Sequence, residues 1–553
     1  MIKIIDVKSR NRLADYEAYV TLFPVVKDFR KEAEILVPKL GKSRVWMVNS
    51  TDRGGGVAEM MPTMIDLLRQ LGLDARWAVM GTKREAFFPL TKKIHNLIHG
   101  NGTPGFSAQE RELYEQVNTE SAAEFAKLLR AGDIVVIHDP QPMAMAGFFK
   151  NTIDVHAIWR CHIGLDEKNP QTESAWRFLE PYFKAYELTV FSAPEYIPDY
   201  QPDKFTVIPP AIDPLSHKNR DLNFHKLVGI LTNAGILPTD HVMLTPPFAD
   251  KVKRLNGDGS FVPPAETGDF GLLSRPIVTQ ISRWDRLKGF LPLMESFIHL
   301  KRHIDRYHGG AARHKRRLEL VRLVLAGPDP AFVKDDPEGR EVLEELKEYY
   351  CSLSAEIQQD IALLLLPMSS RKENELIVNA LQRSSSILVQ NSLREGFGLT
   401  ATEAMWKLVP FMGSTACGLR QQVRNRVDGL LIARPEDKNA VAEGLNQILR
   451  DVKRRQVWAY NAQKRVLDHF LVFNQLSRWL NVFVSCATRE CAGSEGREGT
   501  RRWRHSKMLS LPYTCRYGAH EQKKLGKSYG FKLFLVSEQY RTYVASVLPE
   551  IFF

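Results

Sequence analysis

The sequence predicts an α/β protein built from two doubly wound lobes, because three patterns in it agree. Its short apolar runs are continuous rather than alternating, as in strands that are buried on both faces of a parallel sheet. These runs alternate with helical stretches, which is the order found in βαβ units. A proline-rich stretch at residues 208–215 separates two series of such units and is expected to be a hinge. We therefore expect two Rossmann-like lobes with a cleft between them, and ligands at the carboxyl ends of their strands.

The strands of each lobe are predicted from apolar and β-branched runs that are followed by Gly, Pro, Asp or Ser. The first series lies at residues 45–48, 134–138, 155–160, 188–191 and 205–208. The second series lies at residues 277–281, 323–325, 361–365 and 387–389. Residues 257–271, rich in Gly, Pro and acidic side chains, are expected to form a loop insertion.

The composition is that of an ordinary globular protein, with 44% hydrophobic and 25% charged residues among 553. No run approaches the ~18 apolar residues of a membrane span, and the first 20 residues lack the apolar core of a secretion signal. The six cysteines form no CxxC pair, which argues against a zinc site and a disulfide scaffold. We expect a cytoplasmic protein in a reducing compartment, with no membrane partner.

The formal net charge of +12 is unevenly distributed. Residues 481–553 hold 12 Lys/Arg against 6 Asp/Glu, so this basic extension carries half of the excess. The rest of the chain lacks the clustered basic residues with interleaved aromatics that a nucleic-acid face requires, and no nucleic-acid partner is expected. Residues 531–536 and 543–548 are candidate short strands within the extension.

A glycine-rich loop follows the first predicted strand, in the sequence Asn49-Ser-Thr-Asp-Arg-Gly-Gly-Gly-Val-Ala-Glu59. Gly55 and Gly56 allow a ligand to approach the backbone, and the next helix presents free N–H groups at its positive end. Glu59 stands where the dinucleotide-binding fingerprint requires glycine. The loop is interpreted as a cradle for an anion or a sugar, with a simple tight turn as the alternative.

Basic residues lie in the loop after the first strand of the second lobe, within Gln280-Ile-Ser-Arg-Trp-Asp-Arg-Leu-Lys-Gly289, and two of them are five positions apart. Arg283 offers a planar fork and Lys288 a mobile point charge, so together they could bind a diphosphate from two sides. Exposed basic pairs are common, and this loop alone would be read more simply as a solvated face.

The most specific pattern is a pair of glutamates, Glu395 and Glu403, eight residues apart around a glycine-rich loop and a helix start. A strand precedes the loop. Because the two carboxylates are eight residues apart, we expect one to face a sugar ring and the other a ribose. Carboxylates accept strong hydrogen bonds from sugar hydroxyls. Backbone N–H groups at the helix start could bind a phosphate between them. These groups belong to Gly396, Phe397, Gly398 and Leu399.

Polar residues also lie at the ends of two strands of the first lobe: His138, Asp139 and Gln141 at one, and Arg160 and His162 at another. A single histidine is more often structural than functional. With two histidines at strand ends that face one cleft, a functional role and a structural role both stay open.

Together these segments resemble the retaining glycosyltransferases of the GT-B fold, family four, and more narrowly the trehalose synthases that use a nucleotide-glucose donor. Retaining trehalose phosphorylases are close relatives. The resemblance extends from about residue 10 to residue 480 and implies an acceptor lobe at 1–215, completed by a returning helix at about 455–480. It further implies a nucleotide-sugar lobe at 216–454. Residues 481–553 match nothing in that family.

The resemblance implies a glycosyltransferase that makes trehalose from a nucleoside-diphosphate-glucose and glucose. Arg283 and Lys288 would neutralise the departing diphosphate, Glu395 would bind donor-glucose hydroxyls, and Glu403 would bind the ribose. Donor contacts are also implied for Gly55, Gly56, Arg160, His162, Gly396, Phe397, Gly398 and Leu399, and acceptor contacts for His138, Asp139 and Gln141. The nucleobase is expected near residues 367–370. No cofactor and no metal are expected, and a homodimer is a candidate assembly.

Three alternatives stay open from the sequence. A trehalose phosphorylase would use the same Arg/Lys pair for inorganic phosphate. A nucleotide-sugar epimerase would share the two-lobed fold but lack an acceptor site. A sensor would bind the nucleotide sugar without turnover, although the four charged residues of the second lobe argue against it.

Overall fold

A computed structural model describes residues 2–52, 55–198, 204–238, 247–332 and 337–488. Within these residues the chain divides into two compact units. The first comprises the chain up to Asp213 together with the segment from Leu467 on, and the second comprises Pro214–Val466. The boundaries predicted from sequence were 215/216 and 454/455. Most of the basic extension, including both of its candidate strands, lies outside the described residues.

The strands of the two units form separate sheets. Those of the first unit are β1 (Ile2–Ile5), β2 (Val45–Asn49), β3 (Ala75–Met80), β4 (Ile134–His138), β5 (His156–Cys161), β6 (Leu188–Phe191) and β7 (Phe205–Val207). Those of the second are β8 (Lys253–Leu255), β9 (Phe261–Val262), β10 (Ile277–Ile281), β11 (Arg322–Pro328), β12 (Ile361–Leu366), β13 (Ile387–Gln390), β14 (Phe411–Ser414) and β15 (Leu430–Ile432).

Helices alternate with these strands along most of the chain. In the first unit they are α1 (Leu13–Glu17), α2 (Phe23–Leu36), α3 (Gly55–Gln70), α4 (Phe87–Ile98), α5 (Ala108–Ala126), α6 (Met145–Phe149) and α7 (Pro170–Phe183). Next come α8 (Phe224–Asn233), α9 (Phe290–Arg302), α10 (Ile304–Tyr307), α11 (Ala312–Leu320), α12 (Pro337–Cys351), α13 (Ala355–Gln358), α14 (Arg371–Ser384), α15 (Leu399–Trp406), α16 (Cys417–Gln422) and α17 (Lys438–Arg450). The last are α18 (Val452–His469) and α19 (Val472–Ala487). Among the described residues, no helix combines the length and apolar character needed to cross a membrane.

The sheet of the first unit has the order β1-β3-β2-β4-β5-β6-β7, and that of the second has the order β15-β14-β13-β10-β11-β12-β8-β9. All pairings are parallel except those of β1, β8 and β9. The predicted fold class is confirmed, since the described residues form two α/β domains whose sheets are mainly parallel. All nine predicted strands are present, and β1, β3, β8, β9, β14 and β15 are additional.

Two local expectations were wrong. The predicted loop insertion at 257–271 contains β9, which pairs antiparallel with β8 and so extends the sheet. The single returning helix expected at about 455–480 is instead two helices, α18 and α19. The helix is interrupted because Ile212 forms a short parallel bridge there. Its N–H donates to the Phe470 carbonyl (2.9 Å), and its carbonyl accepts from the Val472 N–H (3.0 Å).

Both faces of the second sheet are covered by apolar clusters, which explains why its strands read as continuous apolar runs. Along β10, Val278 belongs to one cluster, while Ile277 and Ile281 belong to the other. Helices α9 and α17 supply residues to the first cluster, and α8 and α14 to the second. Each fully buried aliphatic side chain contributes about 1.5–3 kcal/mol to folding. The strands are therefore held rigidly from both sides.

The strand order identifies where each sheet can bind a ligand. In the second sheet the chain passes outward from β10 to β11 and β12, then returns to the other side of β10 with β13. In the first sheet, β3 and β4 lie on opposite sides of β2. Such reversals leave a crevice at the carboxyl ends of the two central strands. The loops that follow β10 and β13, and those that follow β2 and β4, are therefore the ones to inspect.

Candidate active site

The loop after β10 presents Lys288 at the end of a single 3₁₀ turn, Arg286–Lys288. Asp285 caps this turn by accepting a hydrogen bond from the Leu287 N–H at 2.8 Å. Gly289 then adopts a left-handed conformation (φ 63°) that ends the turn and starts α9. Glycine is required there, since a Cβ would lie 2.2 Å from the Asn391 carbonyl oxygen. The loop after β10 is thus in direct contact with the loop after β13.

Lys288 and Glu395 form an ion pair in which both carboxylate oxygens participate. Lys288 Nζ lies 2.9 Å from Glu395 Oε1 and 2.8 Å from Oε2. The side chains are only 18% and 10% exposed. Glu395 also accepts a hydrogen bond from Ser392 Oγ at 3.0 Å. The two residues are 107 positions apart in sequence, and the reversal between β10 and β13 brings them together.

Arg283 occupies a different environment. Its side chain is 72% exposed, and its ion-pair partner among the described residues is Asp285, at 3.7 Å. The neighbouring Arg286 pairs instead with Glu345, to whose carboxylate oxygens its Nη1 and Nη2 donate at 2.8 and 2.6 Å. Arg283 and Lys288 were expected to bind a diphosphate from two sides. Lys288 is beside Glu395, whereas Arg283 would have to move to reach the same ligand.

The loop between Glu395 and α15 is shaped by Gly398, which is left-handed (φ 78°) and forms the N-cap of the helix. A Cβ at Gly398 would lie 2.8 Å from Glu395 Cγ, so glycine allows the helix to start beside the carboxylate. Phe397 is buried, and Gln422 Nε2 donates to its carbonyl. Gly396, Phe397 and Leu399 thus lie at the positive end of α15, where an anion is favoured.

Glu403 is one turn into α15 and is only 6% exposed. It accepts a hydrogen bond from Gln382 Nε2 at 2.9 Å and lies 3.7 Å from Lys218 Nζ. Gln382 also accepts a hydrogen bond from Lys407. Burial holds the pKa of Lys407 well below its usual value. The Glu403 carboxylate is thus fixed by a buried polar network.

A small cavity of about 180 Å³ lies at the carboxyl ends of β11 and β12. Pro367, from the segment expected near the nucleobase, is one of its lining residues. Phe261 and Phe332 supply aromatic surface. A salt bridge at 2.9 Å between Lys253 and Asp329 supplies polar groups.

In the first unit, the two predicted histidines contact each other. His138 Nδ1 and His162 Nε2 are 2.9 Å apart, and the ring planes are inclined by only 13°, with centroids separated by 5.2 Å. Burial, with a contribution from Arg160, lowers the pKa of His138 to about 3 and that of His162 well below its usual value. Both rings are therefore neutral at physiological pH, so one ring nitrogen donates and the other accepts.

Asp139 links the loops after β4 and β5. It has a left-handed backbone (φ 63°), and its Oδ1 accepts a hydrogen bond from the His162 N–H at 2.8 Å. Its own N–H donates to the Arg160 carbonyl at 2.7 Å, and the Trp159 Nε1–H donates to its carbonyl at 3.0 Å. Burial raises the pKa of Asp139 to about 6, although the His162 N–H and Arg160 oppose this.

Arg160 and Gln141 each bury a polar atom that has no hydrogen-bond partner in the described part of the chain: Nη1 of Arg160 and Oε1 of Gln141. Arg160 is 1% exposed, and its Nη2 donates to Ser192 Oγ at 3.2 Å. Burial lowers the pKa of Arg160 to about 10, so it remains charged. Buried polar atoms without partners are rare in proteins, and each of these two atoms could form a hydrogen bond with a ligand hydroxyl.

The glycine-rich loop is only partly described. Helix α3 begins at Gly55, and Gly56 is exposed in its first turn. Arg53 and Gly54 lie outside the described residues. An anion cradle at this loop stays a prediction.

Several residues near these sites were not predicted from the sequence. Gln280 and Asn391 connect the loops after β10 and β13, while Gln382 and Lys218 contact Glu403. Gln280 lies in a strand and Gln382 in a helix, while Asn391 and Lys218 lie in loops. A polar residue within an apolar strand or a helix indicates a buried polar group but does not identify its partner.

Comparison with known proteins identifies both units. Residues 47–198 match the family model for the trehalose synthase N-terminal domain, and residues 272–465 match that for glycosyl transferases group 1. The trehalose synthase of Pyrococcus horikoshii is 31% identical over 86% of this chain and 97% of its own length. The trehalose phosphorylase of Pleurotus pulmonarius is 24% identical over 80% of this chain and 57% of its own.

Solved structures agree on the fold. A UDP-forming α,α-trehalose-phosphate synthase from Burkholderia vietnamiensis aligns with a TM-score of 0.56 and 17% identity, over 81% of this chain and 99% of that one. This likeness identifies the GT-B fold of two Rossmann-like domains. Family models, curated relatives and fold agree, and the chain belongs to the group 1 glycosyltransferase family that includes the trehalose synthases and trehalose phosphorylases.

Proposed function

We propose that this enzyme transfers glucose, with retention of configuration, from a nucleoside-diphosphate-glucose to glucose and so makes trehalose. The observation that carries the proposal is the Lys288–Glu395 ion pair at the strand reversal of the second unit. It combines a cation for a diphosphate with a carboxylate for sugar hydroxyls. The matching segments of trehalose synthases support the choice of sugars.

The second unit would bind the donor and stabilise the leaving group. Cleavage of the anomeric C–O bond leaves negative charge on the diphosphate and positive charge on the glucose ring. Lys288 and the N–H groups at the start of α15 are fixed before the reaction, so they stabilise the phosphate charge without reorganisation. Arg283 would approach once the ligand is bound. Glu403 would accept hydrogen bonds from the ribose.

Retention would follow from attack on the face that the diphosphate leaves. The acceptor oxygen forms the new bond to the anomeric carbon, and its proton passes to the departing phosphate oxygen. A carboxylate nucleophile, as in retaining hydrolases, is not needed. Glu395 is already engaged by Lys288 and Ser392, which suits it to binding rather than to attack.

The first unit would supply further sugar contacts. We propose Arg160 and His162 for the donor glucose, and His138, Asp139 and Gln141 for the acceptor. The unpartnered Arg160 Nη1 and Gln141 Oε1 support such contacts, because each could bond a hydroxyl. Gly55 and Gly56 would approach a phosphate through their backbone.

We further propose that transfer needs no metal and no cofactor, because Lys288 and Arg283 carry the charge that a divalent cation would supply. Transfer rates measured with EDTA and with added Mg²⁺ should then agree within about twofold. A rate that EDTA abolishes and Mg²⁺ restores would contradict this part of the proposal.

Phosphorolysis of trehalose is the second candidate. The same cationic groups could bind inorganic phosphate, and trehalose phosphorylases are among the relatives. Synthesis is favoured because this chain covers 97% of the Pyrococcus synthase but only 57% of the Pleurotus phosphorylase.

The deciding experiment incubates the protein with UDP-, ADP- or GDP-glucose plus glucose and identifies any disaccharide by NMR. Trehalose with α,α linkage is expected. A parallel reaction contains trehalose and phosphate, and release of glucose 1-phosphate there, without synthesis from any donor, would favour the phosphorylase. A third omits glucose, and an epimerised sugar in it would favour an epimerase.

A further inference from the structure

We propose that Gln280 is a positioning residue for this transfer: its buried carboxamide fixes the Lys288 loop against the Glu395 loop. The expected effects on kcat and KM rest on the proposed function. Gln280 is the fourth residue of β10 and is fully buried, so it does not contact substrate itself. It would act through the geometry of the Lys288–Glu395 pair.

The Gln280 side chain bonds to the backbone of both loops at once. Its Nε2–H donates to the Lys288 carbonyl at 2.8 Å. Its Oε1 accepts from the Asn391 N–H at 2.9 Å. One end therefore bonds to the residue that carries the ammonium group, and the other to the start of the loop that carries Glu395.

These two bonds require an amide at this position. A glutamate would still accept from the Asn391 N–H, but it would replace the donor to the Lys288 carbonyl with a negatively charged acceptor. A methionine of similar length would leave a buried donor and a buried acceptor unpaired. A buried group left without its partner is costly, so either change should displace the loops.

Other contacts join the same two loops and show how close they are. The Leu393 N–H donates to the Leu287 carbonyl at 2.7 Å. Asn391 Nδ2 donates to the Gly289 carbonyl at 3.3 Å. The loops would therefore stay in contact without Gln280 but lose the bond to Lys288 itself. A shift of about 1 Å at a positioned group can lower a rate about a hundredfold.

The test compares Gln280→Glu, Lys288→Ala and the double variant in the full chain, measuring kcat and donor KM separately. We expect Gln280→Glu to lower kcat by about 30-fold while donor KM changes less than threefold. In the Lys288→Ala background the same change should lower kcat by less than threefold, because the residue that it positions is gone. A full 30-fold loss in both backgrounds would overturn the proposal.

Asn446→Asp is the matched control, because Asn446 is also a buried amide of the second unit but pairs with His314 (2.7 Å), away from both loops. It should leave kcat within twofold, and an equal loss in this control would show a general effect of a buried acid and overturn the proposal. If Gln280→Glu does not fold, Gln280→Met enters the same comparison.

A measurement without substrate separates this proposal from the proposed function. The rate of Lys288 acetylation by an amine reagent is followed by mass spectrometry, with the half-exposed Lys253 as internal reference. Gln280→Glu should raise the Lys288 rate severalfold relative to Lys253, since the ion pair is loosened. An unchanged ratio would overturn the positioning role, whereas absence of transfer in the wild type would overturn only the proposed function.

Discussion

Replacing Lys288 by alanine tests the electrostatic basis of the proposed reaction. The substitution removes a cation that is 18% exposed, and the 10% exposed Glu395 carboxylate loses its ion pair with that cation. At an effective dielectric constant of about 20, a unit charge about 4 Å from the departing phosphate contributes about 4 kcal/mol. Each 1.36 kcal/mol of barrier is a factor of about ten, so kcat should fall about a thousandfold.

Arg283→Ala is the matched comparison, since it removes the same charge from the same loop. Arg283 is 72% exposed, and an ion pair in such surroundings contributes about 1 kcal/mol or less. Its loss should therefore lower kcat by about fivefold. The structure thus predicts that the two substitutions differ by about two orders of magnitude.

The assay is the steady-state rate of nucleoside diphosphate release with saturating donor and glucose, after thermal melts have confirmed that both variants fold. Equal losses in the two variants would refute the reasoning, because they would mean that the exposed Arg283 carries as much of the leaving-group charge as Lys288. A loss below about tenfold for Lys288→Ala would refute it as well.

Three further outcomes are expected. Gly289→Ala should lower the free energy of unfolding in urea by at least ~2 kcal/mol more than Gly310→Ala, because both positions are left-handed but only at Gly289 would a Cβ meet a backbone atom, the Asn391 oxygen. Burial raises the pKa of Asp139 to about 6, so folding favours its protonated form and stability falls as pH rises from about 4 to 6. Asp139→Asn should therefore stabilise the protein by about 1–3 kcal/mol at pH 8 and by almost nothing at pH 4, in urea titrations at both values. Glu403→Gln should raise donor KM about tenfold with kcat nearly unchanged, and a fall in kcat alone would contradict a ribose-binding role.

The central strands could be predicted from sequence because burial on both faces leaves a continuous apolar run, as in β2 and β12. The strands that were missed lack this signal for identifiable reasons. In β3, Arg76 interrupts the run and pairs with Asp74 at the surface. Strand β9 has only two residues, which is too short to give a pattern in the sequence, and it is a strand only because it pairs with β8.

The candidate site was predictable in its charged residues but not in their supports. The glycines around Glu395 and the loop position of Lys288 indicated functional groups in sequence. That Gln280 bonds to both loops could not be inferred, because 111 residues separate it from Asn391 and only the strand reversal brings them together. The exposure of Arg283 could not be predicted either, since sequence spacing does not fix a side-chain conformation.

The antiparallel hairpin beside β12 has a consequence for solubility. Without β8 and β9, the six apolar residues of β12 would form the outermost strand and offer unpaired backbone groups to other molecules. Such strands are templates for aggregation, and proteins often protect them with short or charged outer strands. Here Lys253 and Arg254 cover that strand, and the outermost remaining one is only the two-residue β9. The hairpin of β8 and β9 thus keeps the apolar β12 in the second unit from pairing edge to edge with other molecules.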